Sequence, residues 1–172
     1  MNDYKLYKCT ICGDPYLGDT APINCPYCGA KQDRFVDGRD YVSPFACEQI
    51  FTDEEKANFQ AALDIEVGNA SFYQAAAASS SEEYYQWLFK ALMKVEKEHA
   101  GIFAKHLQIA KPELITVEAS SDGEENLEES HRREQVAIES YRKFAESATT
   151  PRAKEVFDAL VEIESDHLGL DG

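Results

Sequence analysis

Four residues of this chain recur at one fixed spacing. Glu66, Tyr73, Glu96 and His99 are matched by Glu134, Tyr141, Glu164 and His167, each 68 positions later. The residues expected to pack keep the same register: Phe89, Ala91, Leu92, Val95 and Gly101 answer to Phe157, Ala159, Leu160, Ile163 and Gly169. A repeat of this kind restricts the architecture before it says anything about chemistry, because two copies of one unit must face each other about a pseudo-twofold axis. Each copy reads Glu, Tyr seven residues on, then Glu-x-x-His thirty residues after the first Glu. Brought together, four carboxylates and two imidazoles make an oxygen- and nitrogen-rich site for two metal ions.

The second part of the chain has helical periodicity. Thr52-Asp53-Glu54-Glu55 is a capping box, and a first helix runs from it to about Ser79 with Phe59, Leu63, Glu66, Ala70, Tyr73 and Ala77 on one stripe. Ser81 is expected to cap a second helix that carries Leu88, Leu92, Val95, His99, Ile102 and His106 and reaches about Ala110. A third helix starts near Gly123 with Leu127, His131, Glu134, Ile138 and Tyr141 inward. A fourth starts at Pro151, a residue suited to a first helical position, carries Phe157, Leu160, Glu164 and His167, and stops at Gly169. Short turns make the first two and the last two helices antiparallel hairpins. Lys111 to about Asp122 is longer, and a dozen extended residues reach about 40 Å. That is also about the length of a 27-residue helix, so this segment can span the bundle and start the third helix parallel to the second.

Glu96 and His99 lie three apart on one helix face, as do Glu164 and His167. The ligand candidates sit on apolar stripes, where unpaired carboxylates would repel one another and gain protons. Two divalent cations balance four carboxylates with both imidazoles neutral, and an oxide or hydroxide bridge can balance two ferric ions. Carboxylate and imidazole donors suit iron or manganese better than copper or calcium. One Glu-x-x-His alone means little in a chain with 32 acidic residues, and Glu128-Glu129-Ser130-His131 is a third. It has no mate 68 residues earlier, where Gln60 and Leu63 stand, so His131 is read as a polar residue beside the site, with metal ligation the alternative. His106 reads as a satisfied structural histidine. Tyr73 and Tyr141 are expected to hydrogen-bond a ligand carboxylate on a facing helix.

Residues 1–42, rich in Cys, Gly, Pro and Tyr, read as short strands and turns around a second metal, with 43–51 a linker and 52–172 the bundle. Cys9-Thr10-Ile11-Cys12-Gly13 and Cys25-Pro26-Tyr27-Cys28-Gly29 are two knuckles of one four-thiolate site. The glycine after each second cysteine permits the positive backbone angle that aims amide N–H groups at sulfur. Zinc and iron both accept four thiolates. A redox site in the bundle needs an electron relay, which favours iron. Cys47 stands apart as a packed or bystander thiol. The formal net charge of −15 argues against nucleic acid or an anionic membrane as partner. No apolar stretch is long enough for a bilayer and no leader opens the chain, and paired Cys-x-x-Cys motifs suit a reducing compartment, so the expected location is the cytoplasm.

These motifs resemble those of the rubrerythrins, non-haem iron proteins of the ferritin-like superfamily, and the N-terminal placement of the cysteine module is similar to their reverse type. The resemblance covers nearly the whole chain. It implies a mainly α fold, a ferritin-like four-helix bundle with a long crossover behind a small rubredoxin-like module. It also implies one iron on Cys9, Cys12, Cys25 and Cys28, and two irons, oxo- or hydroxo-bridged when oxidised, on Glu66, Glu96, His99, Glu134, Glu164 and His167. Tyr73 and Tyr141 match the family's inward tyrosines. Rubrerythrins usually carry a further glutamate three residues after the third-helix ligand, and here that position is Ala137. The family also implies a homodimer or larger assembly, in which the thiolate iron of one subunit delivers electrons to the bundle of another.

The expected activity is reduction of hydrogen peroxide to water at the di-iron site, with Tyr73 and Tyr141 as the catalytic residues and electrons relayed through the four-cysteine iron. No dinucleotide or flavin fingerprint is present, so a separate reductase must supply the electrons. Two other readings stand beside it. One is an oxygen-reducing or ferroxidase protein, favoured by Ala137 and the symmetric ligand set. The other is a non-catalytic adaptor with zinc in the cysteine module.

Overall fold

The capping box seen in the sequence forms, and it does more than start a helix. Helix α1 spans Asp53–Ser79; Thr52 Oγ1 accepts from the Glu55 N–H, and Glu55 Oε2 accepts from the Thr52 N–H at 2.8 Å. The other Glu55 oxygen accepts from the backbone N–H groups of Thr149 and Thr150 at 2.9 and 2.7 Å. One carboxylate therefore satisfies donors where α1 begins and where α4, Pro151–His167, begins. Burial alone would raise the Glu55 carboxyl, but these three backbone donors, Thr150 foremost, outweigh it and hold the carboxyl down at about 2. Asp122 caps helix α3, Gly123–Ser147, by accepting from Glu124 and Glu125.

The computed structural model describes residues 4–46 and 50–170. Cys47 lies outside the described residues, as does part of the expected linker. Helix α2 spans Glu83–Leu107. Two expectations at its ends are corrected. Ser81 does not cap it: the Ser81 N–H donates to the Ser121 carbonyl, and the helix starts two residues later behind Glu82, with no side-chain cap. The helix also stops before Ala110, because Gln108 takes a left-handed conformation (φ 56°) that returns its N–H to Ala104 and Lys105.

The crossover runs as anticipated. It carries neither helix nor strand, and α1 anchors it: the Ile115 N–H reaches Ser71 Oγ at 3.1 Å, and Ser79 Oγ donates to the Ser120 carbonyl. It thus climbs alongside α1 and delivers α3 parallel to α2. The four helices form the ferritin-like bundle. Phe59, Phe103, Tyr141 and Phe157, one from each helix and all fully buried, pack ring against ring with centroids 5.1–6.1 Å apart in its core.

Ahead of the bundle, strands β1 (Lys5–Cys9), β2 (Pro15–Gly18) and β3 (Phe35–Asp37) form an antiparallel sheet in the order β2-β1-β3. This module is fastened to α2 and α4. Arg152, at the start of α4, donates to the carbonyls of Thr10 and Ile11, Lys105 of α2 donates to the Cys12 carbonyl, and Lys31 pairs with Asp166. His106 is neutral: burial first, then the Arg152 charge, push it down to about 3, and its Nε2 accepts from Arg152 at 3.3 Å. It is the structural histidine its stripe suggested.

Candidate metal centres

All four cysteines are buried, and one Sγ from each lies within 4.8 Å of the others. Cys9 to Cys28 and Cys12 to Cys25 are each 3.8 Å between sulfurs. A tetrahedron with metal–sulfur bonds of about 2.3 Å has edges of about 3.8 Å, so the donor set fits one four-coordinate ion. Gly13 (φ 85°) and Gly29 (φ 81°) turn the chain behind each knuckle. The Asp14 N–H lies 3.4 Å from Cys12 Sγ, while the Gly13 and Gly29 N–H groups return to the Cys9 and Cys25 carbonyls rather than to sulfur. Contact with Cys25, then Cys28 and Cys9, pushes the Cys12 thiol up, because four bare thiolates cannot share so small a volume. A bound cation relieves that repulsion.

The second donor set lies in the bundle, and two overlapping clusters compose it. Glu66, Glu96, His99 and Glu164 form one; Glu134, Glu164, His167 and Glu96 form the other. A shift of 68 residues exchanges the two clusters member for member. Glu96 and Glu164 belong to both clusters, while Glu66 with His99 and Glu134 with His167 each belong to one and are the outer positions. All four glutamates and His99 have no exposed surface, and the His167 side chain is 13% exposed.

Their contacts are those of co-ligands. The His99 Nε2–H donates to the Cys28 carbonyl at 2.9 Å, which leaves Nδ1 with a lone pair in the neutral ring. That Nδ1 faces Glu96 at 2.9 Å, Glu164 at 3.0 Å and Glu66 at 3.7 Å. His167 Nδ1 lies 2.8 Å from Glu164 Oε2, yet neither atom has a hydrogen bond of proper geometry among the described residues. Glu66 Oε2, Glu96 Oε1, Glu134 Oε2 and Glu164 Oε1 are likewise buried without one. So many orphaned acceptors around one point fit cations.

Without metal, protons take their place. Burial, then Glu164 and Glu96, push the Glu66 carboxyl well above its ordinary range, and burial with the same two neighbours pushes Glu134 up to about 8. Burial alone would neutralise Glu96 and the two imidazoles. Instead His99 and His167 hold Glu96 low, and the surrounding carboxylates raise both histidines. Two protonated carboxyls and two imidazolium ions carry four protons, the charge of two divalent cations.

The tyrosines make the expected contacts across the bundle. Tyr73 of α1 donates to Glu134 of α3, and Tyr141 of α3 donates to Glu66 of α1 at 2.5 Å. Burial, then the adjoining glutamate, raises both phenols well above their ordinary value, so both hydroxyls stay protonated donors. Tyr73 also meets Ser130 at 2.8 Å. Sequence reasoning missed Ser130, although its place four residues before Glu134 put it on the same helix face. His131 belongs to neither donor cluster; its Nε2 donates to the Leu170 carbonyl at 3.0 Å. Ala137 is fully buried beside the site. Cys12, Asp14 and Glu98 form a further group at the module's edge, but it shares Cys12 with the thiolate site.

A rubrerythrin rubredoxin-like domain model matches residues 7–36, and a rubrerythrin model matches residues 57–170. Among curated proteins, the chain is similar to reverse rubrerythrin-1 of Clostridium acetobutylicum, at 29% identity over 94% of this chain and 90% of that protein. No solved structure matches the chain significantly.

Proposed function

The chain belongs to the rubrerythrin family, whose domains bind iron, and on that premise we propose that it reduces hydrogen peroxide to water. Residues 1–42 act as the electron-receiving domain and 52–172 as the reacting one. The thiolate iron is held by Cys9, Cys12, Cys25 and Cys28. The two bundle irons are held by Glu66, Glu96, His99, Glu134, Glu164 and His167. When bound, this iron supplies the two electrons that, with two protons, turn one peroxide into two waters.

The observation that carries this reading is the imidazole of His99. Its Nδ1 lies in the bundle donor set, and its Nε2–H donates to the carbonyl of Cys28, a donor residue of the thiolate set. One ring joins two redox-capable centres within a single chain, which an adaptor with structural zinc does not need. Delivery between subunits is therefore not required for the relay, although a homodimer remains part of the proposal, as does an external reductase. Among the described residues no helix is long and apolar enough to cross a membrane. Tyr73 and Tyr141 serve as positioning residues, each fixing one outer carboxylate through a hydroxyl that stays protonated.

Anaerobic stopped-flow mixing tests the reading. Fully reduced, iron-loaded protein should be oxidised faster by hydrogen peroxide than by oxygen at equal concentration. Oxidation no faster with peroxide overturns it and favours the oxygen-reducing or ferroxidase reading, which Ala137 supports by leaving the carboxylate set symmetric. An iron-loaded four-thiolate site is red and a zinc one colourless; Cys25→Ser should abolish that red colour and reductive turnover while prereduced protein still reacts once with peroxide.

A further inference from the structure

The two long faces of the bundle are unlike. The hydrogen bonds and ion pairs that fasten the cysteine module land on α2 and α4, which also supply Glu96, Glu164 and both histidines. The opposite face, between α1 and α3, carries a groove of about 460 Å3, many times the volume of a water molecule, roughly 30 Å3. Ile65, Gly68 and Asn69 line it from α1, and Arg132, Arg133 and Val136 from α3. Ile65 and Gly68 are the repeat counterparts of Arg133 and Val136. The same stretch of each repeat therefore builds each wall, and the groove lies across the pseudo-twofold axis that exchanges the two metal clusters.

Its floor is Asn69. This side chain is 4% exposed, and its Nδ2 has no hydrogen-bond partner among the described residues. Asn69 sits one helical turn from Glu66, so its Cβ lies about 5–6 Å from that of a metal-ligand residue. A buried donor left without an acceptor is costly unless something else occupies it. The counterpart of Asn69 is Ala137, which offers no polar atom, so this amide marks one side of the axis. The walls are charge-balanced: Asp64 and Glu129 oppose Arg132 and Arg133, Glu129 pairs with both arginines, and Arg133 also lies over the Phe72 ring at 4.5 Å. In a chain of net charge −15, that local neutrality suits an uncharged ligand.

We propose that the α1–α3 groove admits the oxidant, a small uncharged hydroperoxide, and that the Asn69 amide donates the hydrogen bond that positions it before it reaches the donor set. Electrons then arrive through the α2–α4 face and the oxidant through the opposite one. This inference rests on the peroxide-reductase reading, and its test separates the two.

Gly68→Leu fills the groove without crowding the fold, because a Cβ there meets nothing within 4 Å. Asn69→Leu removes the donor at similar size. With prereduced, iron-loaded protein, each variant should be oxidised by hydrogen peroxide about tenfold more slowly than the wild type, the effect of one lost hydrogen bond or a blocked path. Ala57→Leu, on the exposed face of α1, should match the wild type. With tert-butyl hydroperoxide, Gly68→Leu should slow oxidation further still. In metal-free protein, Asn69→Leu should melt no lower than the wild type, because its amide has no protein partner to lose. Wild-type preference for peroxide over oxygen judges the functional reading. The ratio of variant to wild type, taken with whichever oxidant the wild type consumes, judges the groove. Rates within twofold of the wild type in both variants overturn the route, and a lowered melting point for metal-free Asn69→Leu overturns the role of its amide.

Discussion

Removing metal from the bundle should leave a protein whose stability falls as pH rises from 5 to 8. The cause is the exchange of cations for protons. The Glu134 carboxyl, ordinarily near 4.5, is pushed up to about 8 in the folded, metal-free chain. A raised folded-state value means that the folded protein holds a proton the unfolded chain has released. The associated stability is complete below about 4.5 and is lost as pH climbs through about 8. At about 1.4 kcal/mol per pH unit, Glu134 alone accounts for on the order of 5 kcal/mol across that window. Glu66 is raised too, and both histidines lose their protons in the same sense above about 6.5. Glu96 and Glu164 are lowered, so their window lies below about 4.5 and does not oppose the trend. Since a domain's whole stability is about 5–15 kcal/mol, the swing should be plain in urea denaturation at pH 5, 6, 7 and 8. A chelator mild enough to preserve the red thiolate centre would strip the bundle alone. Iron-loaded protein should have a flatter profile, and Glu134→Gln should shrink the metal-free slope. A metal-free profile that is flat or rises between pH 5 and 8 would refute the reasoning.

Tyr73→Phe strands a buried glutamate oxygen and the Ser130 hydroxyl together; it should cost about 1–3 kcal/mol by denaturant titration, and Tyr141→Phe should act likewise through Glu66. Gly29→Ala meets a left-handed backbone and brings a Cβ to 3.1 Å of Ile163 Cγ2 on α4. It should cost about 1–2 kcal/mol in backbone strain and slow re-reduction of the bundle by the thiolate centre, while single-turnover oxidation of prereduced protein keeps its rate.

The repeat made the bundle legible because it reported pairs of positions. Glu66 and Glu134 read alone are two acids among many; the constant offset tied them to Glu96, His99 and their counterparts. Helix starts at Thr52 and Thr150-Pro151 were legible because capping is local chemistry. The start of α2 was not, because Ser81 is held by Ser121, forty residues away, through a bond no local pattern encodes. Helix α1 was legible from its Thr52 cap to Ser79, but its inner stripe did not show that Ser71 and Phe72 are buried as well; the crossover anchored at Ser71 accounts for this. Asn69 and the His99–Cys28 hydrogen bond escaped notice for the same reason: each depends on which surface meets which, and periodicity says nothing of that.

The seat of the cysteine module is assembled from both ends of the chain. Thr10 and Ile11 meet Arg152, and Lys31 meets Asp166, across more than 130 residues of sequence. During translation the sheet and its knuckles emerge from the ribosome before α4 exists, so the module cannot dock on its full seat until the whole chain has been made. Contacts so distant in sequence carry a large loop-closure cost and form slowly, so this joint should be among the later parts of the fold to close.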